Sequence, residues 1–495
     1  MGIEPAAQQG GLVAATPTTK WQVGGYRFLV RRMEHALVRR DVRMLHDPMR
    51  SQSRALAVGL VVACLGLAGC AALALLRPQD KIGDATIAVG KDSGAMFVRV
   101  EEAFHPVLNL ASARLIVGSP DSPVIVKESE LAKLDRGSLV GIPGAPSSLP
   151  HEESGSPESW TVCDTLDSTG AVAGTTVVVG DPRYDDRIGP LEDGEAFLWS
   201  TTDGTYLVYD GVRALIDLGD RSVVRALGLE GVRPSSVSDG LANAVPVVPA
   251  IVPPAIARAG EIPAYPIAGK TIGSVVKVSG VDVRYYVVLE NGIQAITEST
   301  AQLIKFADSQ GSPEIDSLNP DVLPSAPTVT GLPVEMYPRV APKIVNTAAE
   351  PVGCSTWIPQ AAPDGGPTAQ LVMSAGRTLP IVGSARPVRL AQADGGGAAA
   401  DEVYLEPGSG GFVQTTGIEP TSLRQDASFF VADTGVRFGV PDADAVDALG
   451  LGVPAPAPWQ IVRLLGTGPT LSRAAALTAH DGVGPDPDAA RLPTG

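Results

Sequence analysis

Histidine, cysteine and aromatic residues are all scarce in this chain of 495 residues: five histidines, four cysteines and 5% aromatics. His35 and His46 precede the one long apolar run, so few imidazoles remain beyond it for acid–base or metal chemistry. So few aromatics also weaken any reading as a chain built to stack sugars. Basic residues are outnumbered, 38 Lys/Arg against 54 Asp/Glu, for a net charge of −16. That balance argues against a nucleic-acid partner, because phosphate binding needs clustered Lys and Arg. A solvated acidic surface is the default explanation. A second long apolar run is lacking too, which leaves a single candidate membrane span.

Motifs that carry chemistry come only as near misses. Gly269-Lys270-Thr271 resembles the end of a phosphate-binding loop, but its first glycine position is Ala264 and no apolar strand leads into a helix. His151-Glu152 lacks the second histidine of a zinc-protease helix, since Gly155 stands in its place. Asp442, Asp444 and Asp447 miss the spacing of a calcium loop and read as an acidic helix start. No Gly-x-Ser-x-Gly elbow occurs. Paired carboxylates stay open, because 50 acidic residues after the apolar run offer many accidental pairs.

What the chain does have is an uncharged run from Ala55 to Leu76. At helical rise it covers roughly 33 Å, enough for a bilayer core of about 30 Å. The 54 residues before it hold nine Lys/Arg and four Asp/Glu, with Arg43, Arg50 and Arg54 crowding its start. Beyond Arg77 stand 28 basic and 50 acidic residues. The positive flank predicts a cytoplasmic N-terminus and an exported bulk. Leu67-Ala68-Gly69-Cys70 spells a lipobox-like tetrapeptide. The apolar run continues past it through Leu76, however, and starts late for a signal peptide. An uncleaved anchor is the reading adopted.

Before the span, Trp21, Tyr26, Leu29, Met33, Leu37 and Leu45 recur at helical spacing. Arg27, Arg31, Arg32, Arg39, Arg40 and Arg43 fill most of the other face, and Pro48 ends the pattern. A basic amphipathic helix of this kind suits anionic headgroups or a partner helix, and a plain positive-inside flank would look the same.

The exported part is long enough for two or three domains. With 55 Gly and 43 Pro, the chain favours short elements joined by turns. Cys64 and Cys70 lie in the span as small apolar fillers, which leaves Cys163 and Cys354 as an even pair in an oxidising compartment. They read as one disulfide closing a loop of about 190 residues, a constraint of roughly 5 kcal/mol in the chain-entropy model. Three hairpins share a turn signal. They are Tyr206 to Ile216 around Asp210-Gly211, Tyr285 to Ile296 around Asn291-Gly292, and Phe429 to Val440 around Thr434-Gly435. A short helical pattern follows each: Ser222–Leu227, Thr300–Phe306 and Ala443–Leu449. Each is followed by a second helix candidate near Pro246, Pro327 or Pro469. A weaker copy comes first, with strands at Met96–Val100 and Val107–Leu110 and a helix at Ser129–Leu134.

The expected fold is therefore a single-pass membrane protein with an α+β exported region. A disulfide-linked, β-rich central core is flanked by four small hairpin-plus-helix repeats. The expected order is a disordered segment 1–18, a basic amphipathic helix region 19–54, the span 55–76 and repeat 1 at 82–145. The core's first half (146–200), repeat 2 (201–262), repeat 3 (263–345), the core's second half (346–417), repeat 4 (418–482) and a flexible tail (483–495) follow. The turn glycines are unevenly spaced, which argues against a solenoid.

Several segments, in this order, resemble the EccB family of the type VII (ESX) secretion machinery. They are Gly25 to Leu29 with Arg31 and Arg32, Arg77-Pro78, Pro106 to Leu115, Val140 to Pro146, Trp160 to Asp164, Thr434 to Gly439 and Gly468 to Arg473. The resemblance spans nearly the whole chain. It implies a subunit of the inner (cytoplasmic) membrane, with the N-terminus cytoplasmic and a periplasmic bulk. It also implies repeats similar to wall-binding modules of phage lysins. The implied partners are EccC, EccD, EccE, further EccB copies, the lipid bilayer and peptidoglycan, with no nucleic acid. The residues themselves point to no catalytic, cofactor or metal site. Some members are called ATPases, and ATP would be the only cofactor that name brings, but this chain lacks the Walker motif such an activity needs.

Overall fold

The computed structural model describes residues 19–484, apart from 41, 43–47, 77–81, 150–158, 268, 281, 313 and 362–366. The expected segment 1–18, Arg43, Leu45, the His151-Glu152 pair and the tail from 485 onward lie outside the described residues. The chain divides into two units, 1–79 and 80–495.

Among its described residues the first unit holds two helices. Lys20–Arg39 starts where the Gln22 side chain accepts the Thr19 N–H at 3.0 Å, and ends as Arg40 turns left-handed at φ 55°. Arg27, Arg31 and Arg32 are exposed along it, as are Trp21 and Tyr26 at 90% and 70%. Arg39 is its last residue and Arg40 already lies beyond it. The basic pattern is thus not one helix running to Pro48. Pro48 instead opens the second helix, Pro48–Leu76. Proline suits a first helical turn, where its fixed φ is right and no N–H is needed. The apolar stretch Gln52–Leu73, 22 residues, is long enough to cross a membrane.

The second unit is built on a seven-stranded sheet. Its strand order is Val388–Arg389, Glu402–Tyr404, Val172–Val179, Trp160–Leu166, Val352–Ala361, Pro367–Gly376 and Ile188–Pro190. Strands from two distant stretches of sequence interleave in it. Cys163 and Cys354 face each other on adjacent antiparallel strands and are joined by a disulfide, with Cα atoms 4.1 Å apart. Both are fully buried, beside Ile188 and Val352.

Among the described residues four smaller sheets accompany it, each with three consecutive antiparallel strands, a helix and a short strand returning parallel to the first. The first uses Ile87–Gly90, Met96–Val100 and Ala103–Pro106, then helix Leu110–Val117 and strand Val124–Val126. The second uses Glu195–Thr201, Gly204–Tyr209 and Val212–Ile216, then helix Arg221–Ala226 and strand Ser235–Ser236. The third uses Val275–Ser279, Val283–Val288 and Ile293–Ile296, then helix Glu298–Ala307 and strand Asp316–Ser317. The fourth uses Gly410–Thr416, Ser428–Ala432 and Val436–Val440, then helix Ala443–Leu449 and strand Ala455–Pro458.

Further details differ from the sequence reading. Val107–Leu110 is not a strand: the Asn109 side chain accepts the Ser112 N–H at 2.9 Å and caps a helix that begins at Leu110. The opening strand Gly410–Thr416 falls inside a range expected for the core, 346–417, and Glu195–Thr201 falls, but for its last residue, inside the other, 146–200. Each pairs instead with the following hairpin of a small sheet.

Packing follows the helices. Val223 and Ala226 of the second sheet's helix, and Leu227 just after it, share a core with Leu303 of the third's. Leu115 and Ile116 of the first share one with Ala445 and Leu449 of the fourth. Leu241 and Ala244 beside the second sheet, and Ile461 and Leu464 beside the fourth, pack with Trp160, Val162 and Trp357 of the central sheet. The last described strand, Ala479–His480, pairs with Leu139–Val140, and Val140 in turn bridges Val107, just after the first small sheet's third strand.

Candidate functional site

The three turn pairs serve as seats for packing. Asp210 and Gly211 both have positive φ, 47° and 75°, and form a two-residue turn between Tyr209 and Val212. This is the backbone that Asp-Gly favours, with both central residues left-handed. A Cβ on Gly211 would lie 3.1 Å from Leu371 of the central sheet. Thr434 and Gly435 sit in a three-residue link between Ala432 and Val436, in which Gly435 alone is left-handed (φ 80°) and its N–H reaches Ala432 O at 2.9 Å. A Cβ there would meet Val403 of the central sheet at 2.2 Å. Asn291 and Gly292 differ. The link from Val288 to Ile293 is longer, neither residue has positive φ, and the Leu289 N–H bonds Gly292 O at 2.8 Å. A Cβ on Gly292 would meet Pro327 O at 2.3 Å, so a close backbone approach demands this glycine.

Among the described residues no group of three or more His, Cys, Asp or Glu could hold a metal ion. Lys270 is paired with the Asp316 carboxylate, and the element after Gly269-Lys270-Thr271 is the strand Val275–Ser279. A phosphate loop needs a helix N-terminus there, so this triplet does not build one. Asp442 accepts the Ala445 N–H at 2.8 Å and caps the helix that carries Asp444 and Asp447.

One hollow of about 300 Å³ was not anticipated. Thr415, Thr416, Arg424, Asp426, Phe429, Trp459 and Gln460 line it. Trp459 stacks on Phe429 at 5.8 Å between ring centres, and the Arg437 guanidinium lies 5.4 Å over the Trp459 ring. Arg437 is fixed in turn by donating to Leu465 O at 2.5 Å. The indole is thus packed against Phe429 and Arg437 while 39% exposed, and among the described residues Gln460 Oε1 has no hydrogen-bond partner. A second cleft, about 420 Å³, lies by the Asp210 turn and is lined by Asp193, Glu195, Tyr209, Arg339 and Pro342. Tyr209 donates to Met336 O at 2.5 Å, and burial pushes its phenol well above the ordinary value. Glu195 is held below the usual carboxylate range by Lys343, 2.8 Å away. Neither cleft brings an acid, a base and an oxyanion site together.

Known proteins match this chain along nearly its full length. The family described as "Type VII secretion system ESX-1, transport TM domain B" matches residues 15–485. EccB3 of Mycolicibacterium smegmatis, named an ESX-3 secretion system ATPase, is 41% identical over 96% of this chain and 93% of its own. EccB1 of Mycobacterium tuberculosis, named an ESX-1 secretion system ATPase, is 39% identical over 97% of this chain and 98% of its own. Among solved structures, a chain of an intact ESX-5 inner membrane complex superposes with a TM-score of 0.73 at 34% identity. It covers 97% of this chain and 99% of that chain. An EccB3 dimer from the ESX-3 core complex gives 0.69 at 37% identity, over 80% of this chain and 100% of that one. The chain belongs to the EccB family of type VII secretion membrane components.

Proposed function

We propose that this chain is a structural subunit of a type VII secretion complex in the cytoplasmic membrane. Pro48–Leu76 anchors it with the N-terminus in the cytoplasm. The unit from Asp80 onward extends a periplasmic scaffold, in which four copies of one small repeat flank the disulfide-bonded core. The observation that carries this reading is the match along 97% of the chain to a subunit of an intact inner membrane complex. EccC, EccD, EccE and further EccB copies are the assembly partners it requires. The helix Lys20–Arg39 meets headgroups or partner subunits through Arg27, Arg31 and Arg32. Deleting the gene should stop export and dissociate the membrane complex on native gels, with both restored by the intact chain. An intact complex after deletion would overturn the structural role.

The Trp459 hollow favours a second reading, contact with envelope glycan, which is compatible with the first. An exposed indole flanked by Gln460, Arg424 and Asp426 offers an apolar platform with hydrogen-bonding groups at its rim. Purified full-length chain should be retained on peptidoglycan, and Trp459→Ala should lower retention about tenfold, which corresponds to about 1.4 kcal/mol from one stacked ring. Equal retention of the two proteins would remove the reading.

A further inference from the structure

Two buried carboxylates meet at one threonine. Asp164 follows Cys163 and is 3% exposed, and Asp401 precedes the Glu402–Tyr404 strand and is 5% exposed. Thr175, on the strand between theirs, donates its hydroxyl to Asp164 and its N–H to Asp401, both at 2.8 Å. Asp164 also accepts the Ser238 N–H at 2.6 Å and the Ser238 hydroxyl at 2.8 Å. Asp401 accepts the Gly395 N–H at 2.7 Å. Every one of these donors is neutral.

Ser238 is not an incidental partner. Its hydroxyl accepts the Leu241 N–H at 3.0 Å and caps the helix Asp239–Asn243. That helix buries Leu241 against Trp160 and Val162 of the central sheet. Asp164 therefore ties the second small sheet's connecting helix to the core. Among the described residues, the ionisable groups nearest in chain or fold are Asp239 in the helix's first turn, Glu350 across a small hollow beside Asp164, Asp394 in the loop before Asp401, and Glu402 next to Asp401 in the chain. All are acidic.

We propose that Asp164, linked to Asp401 through Thr175, takes up one proton, and that this proton tightens the joint between the Asp239–Asn243 helix and the central sheet. A buried carboxylate without a cation favours its neutral form, and a second carboxylate nearby reinforces the preference. Burial does push the Asp164 carboxyl above its ordinary value, aided by Asp401 and opposed by the Ser238 and Thr175 hydrogen bonds. The sign follows from linkage. Between the unfolded and the raised folded value, the folded joint holds a proton that the open one releases. Its stability therefore rises as pH falls through the folded value, and levels off below the unfolded one.

The test is hydrogen exchange of the segment 238–245 in the full-length, membrane-reconstituted chain, from about pH 8 to about pH 5, corrected for intrinsic exchange. Protection should rise on acidification by up to tenfold per pH unit, the limit for one proton. Asp164→Asn should flatten that dependence. Asp401→Asn should move it to lower pH by removing the like charge. An equal slope in the wild type and Asp164→Asn overturns the proposal. If the variants do not fold, difference infrared spectra of the wild type decide. A protonated carboxyl band above the ordinary carboxylate range supports the pair, and its absence sinks it.

Discussion

Gly435 stands where Val403 leaves no room for a side chain, 2.2 Å from where a Cβ would sit, with φ at 80°. Two separate costs therefore meet at this position. A non-glycine residue in the left-handed region costs about 1–2 kcal/mol, and forcing a methyl or more into a packed seam adds about 1–3. Gly452 separates them, because it has φ 70° but open space around its Cβ position. Gly452→Ala should lose about 1 kcal/mol in urea unfolding, and Gly435→Val about 3, with the same m-value. Equal losses would mean that the tip does not seat on the central sheet. The sequence marked the Asp210-Gly211 and Gly435 turns because glycine and aspartate are the residues that tolerate this backbone. It could not mark what the tips touch, since Leu371 and Val403 lie far off in the chain.

At the level of elements, the disulfide does not bridge two bodies that would otherwise part. Cys163 and Cys354 sit in register on neighbouring strands that hydrogen-bond along their length. Its main effect is then on the unfolded chain, where it closes a loop with a sequence separation of 191. A Cys163→Ser, Cys354→Ser double variant should keep the sheet but lose about 2–5 kcal/mol of stability. Reductant should lower the urea midpoint of the wild type and leave that of the variant unchanged. A wild type indifferent to reductant would remove the constraint argument. The pairing was legible because only two cysteines follow the membrane span. The helices Ala443–Leu449 and Glu298–Ala307 were legible from their apolar periodicity. The returning strands were not, because Ser235–Ser236 and Asp316–Ser317 are too short to show any period. The opening strand Gly410–Thr416 was lost for another reason, since a long loop separates it from its hairpin and removes the turn signal. Trp459 carried no motif at all, and its setting depends on Phe429 and Arg437 brought in from other strands.

Across the whole second unit, the small sheets associate in pairs that the chain order conceals. The second and third share one core, whereas the first and fourth, at opposite ends of the unit, share another. Arg114 of the first sheet's helix donates to Leu449 O of the fourth's at 3.0 Å, and the strand Ala479–His480 then closes onto Leu139–Val140. The first sheet follows directly after the membrane anchor in sequence, so this closure couples the chain's last described segment to the part nearest the anchor in the sequence. Truncation after Ser472 removes the helix Arg473–Ala476, with Ala476 fully buried, and the closing strand. It also uncovers part of the surface around Val140 and Ile142, both buried in the shared core. The loss should be roughly 2–4 kcal/mol from apolar exposure and broken pairing. Hydrogen exchange should rise in the segments 87–117 and 428–449 and stay unchanged in 275–307, whose core lies with the second sheet. A uniform rise across all four sheets would instead mean that the unit unfolds as one cooperative body, with the closing strand acting as a fastener for the whole.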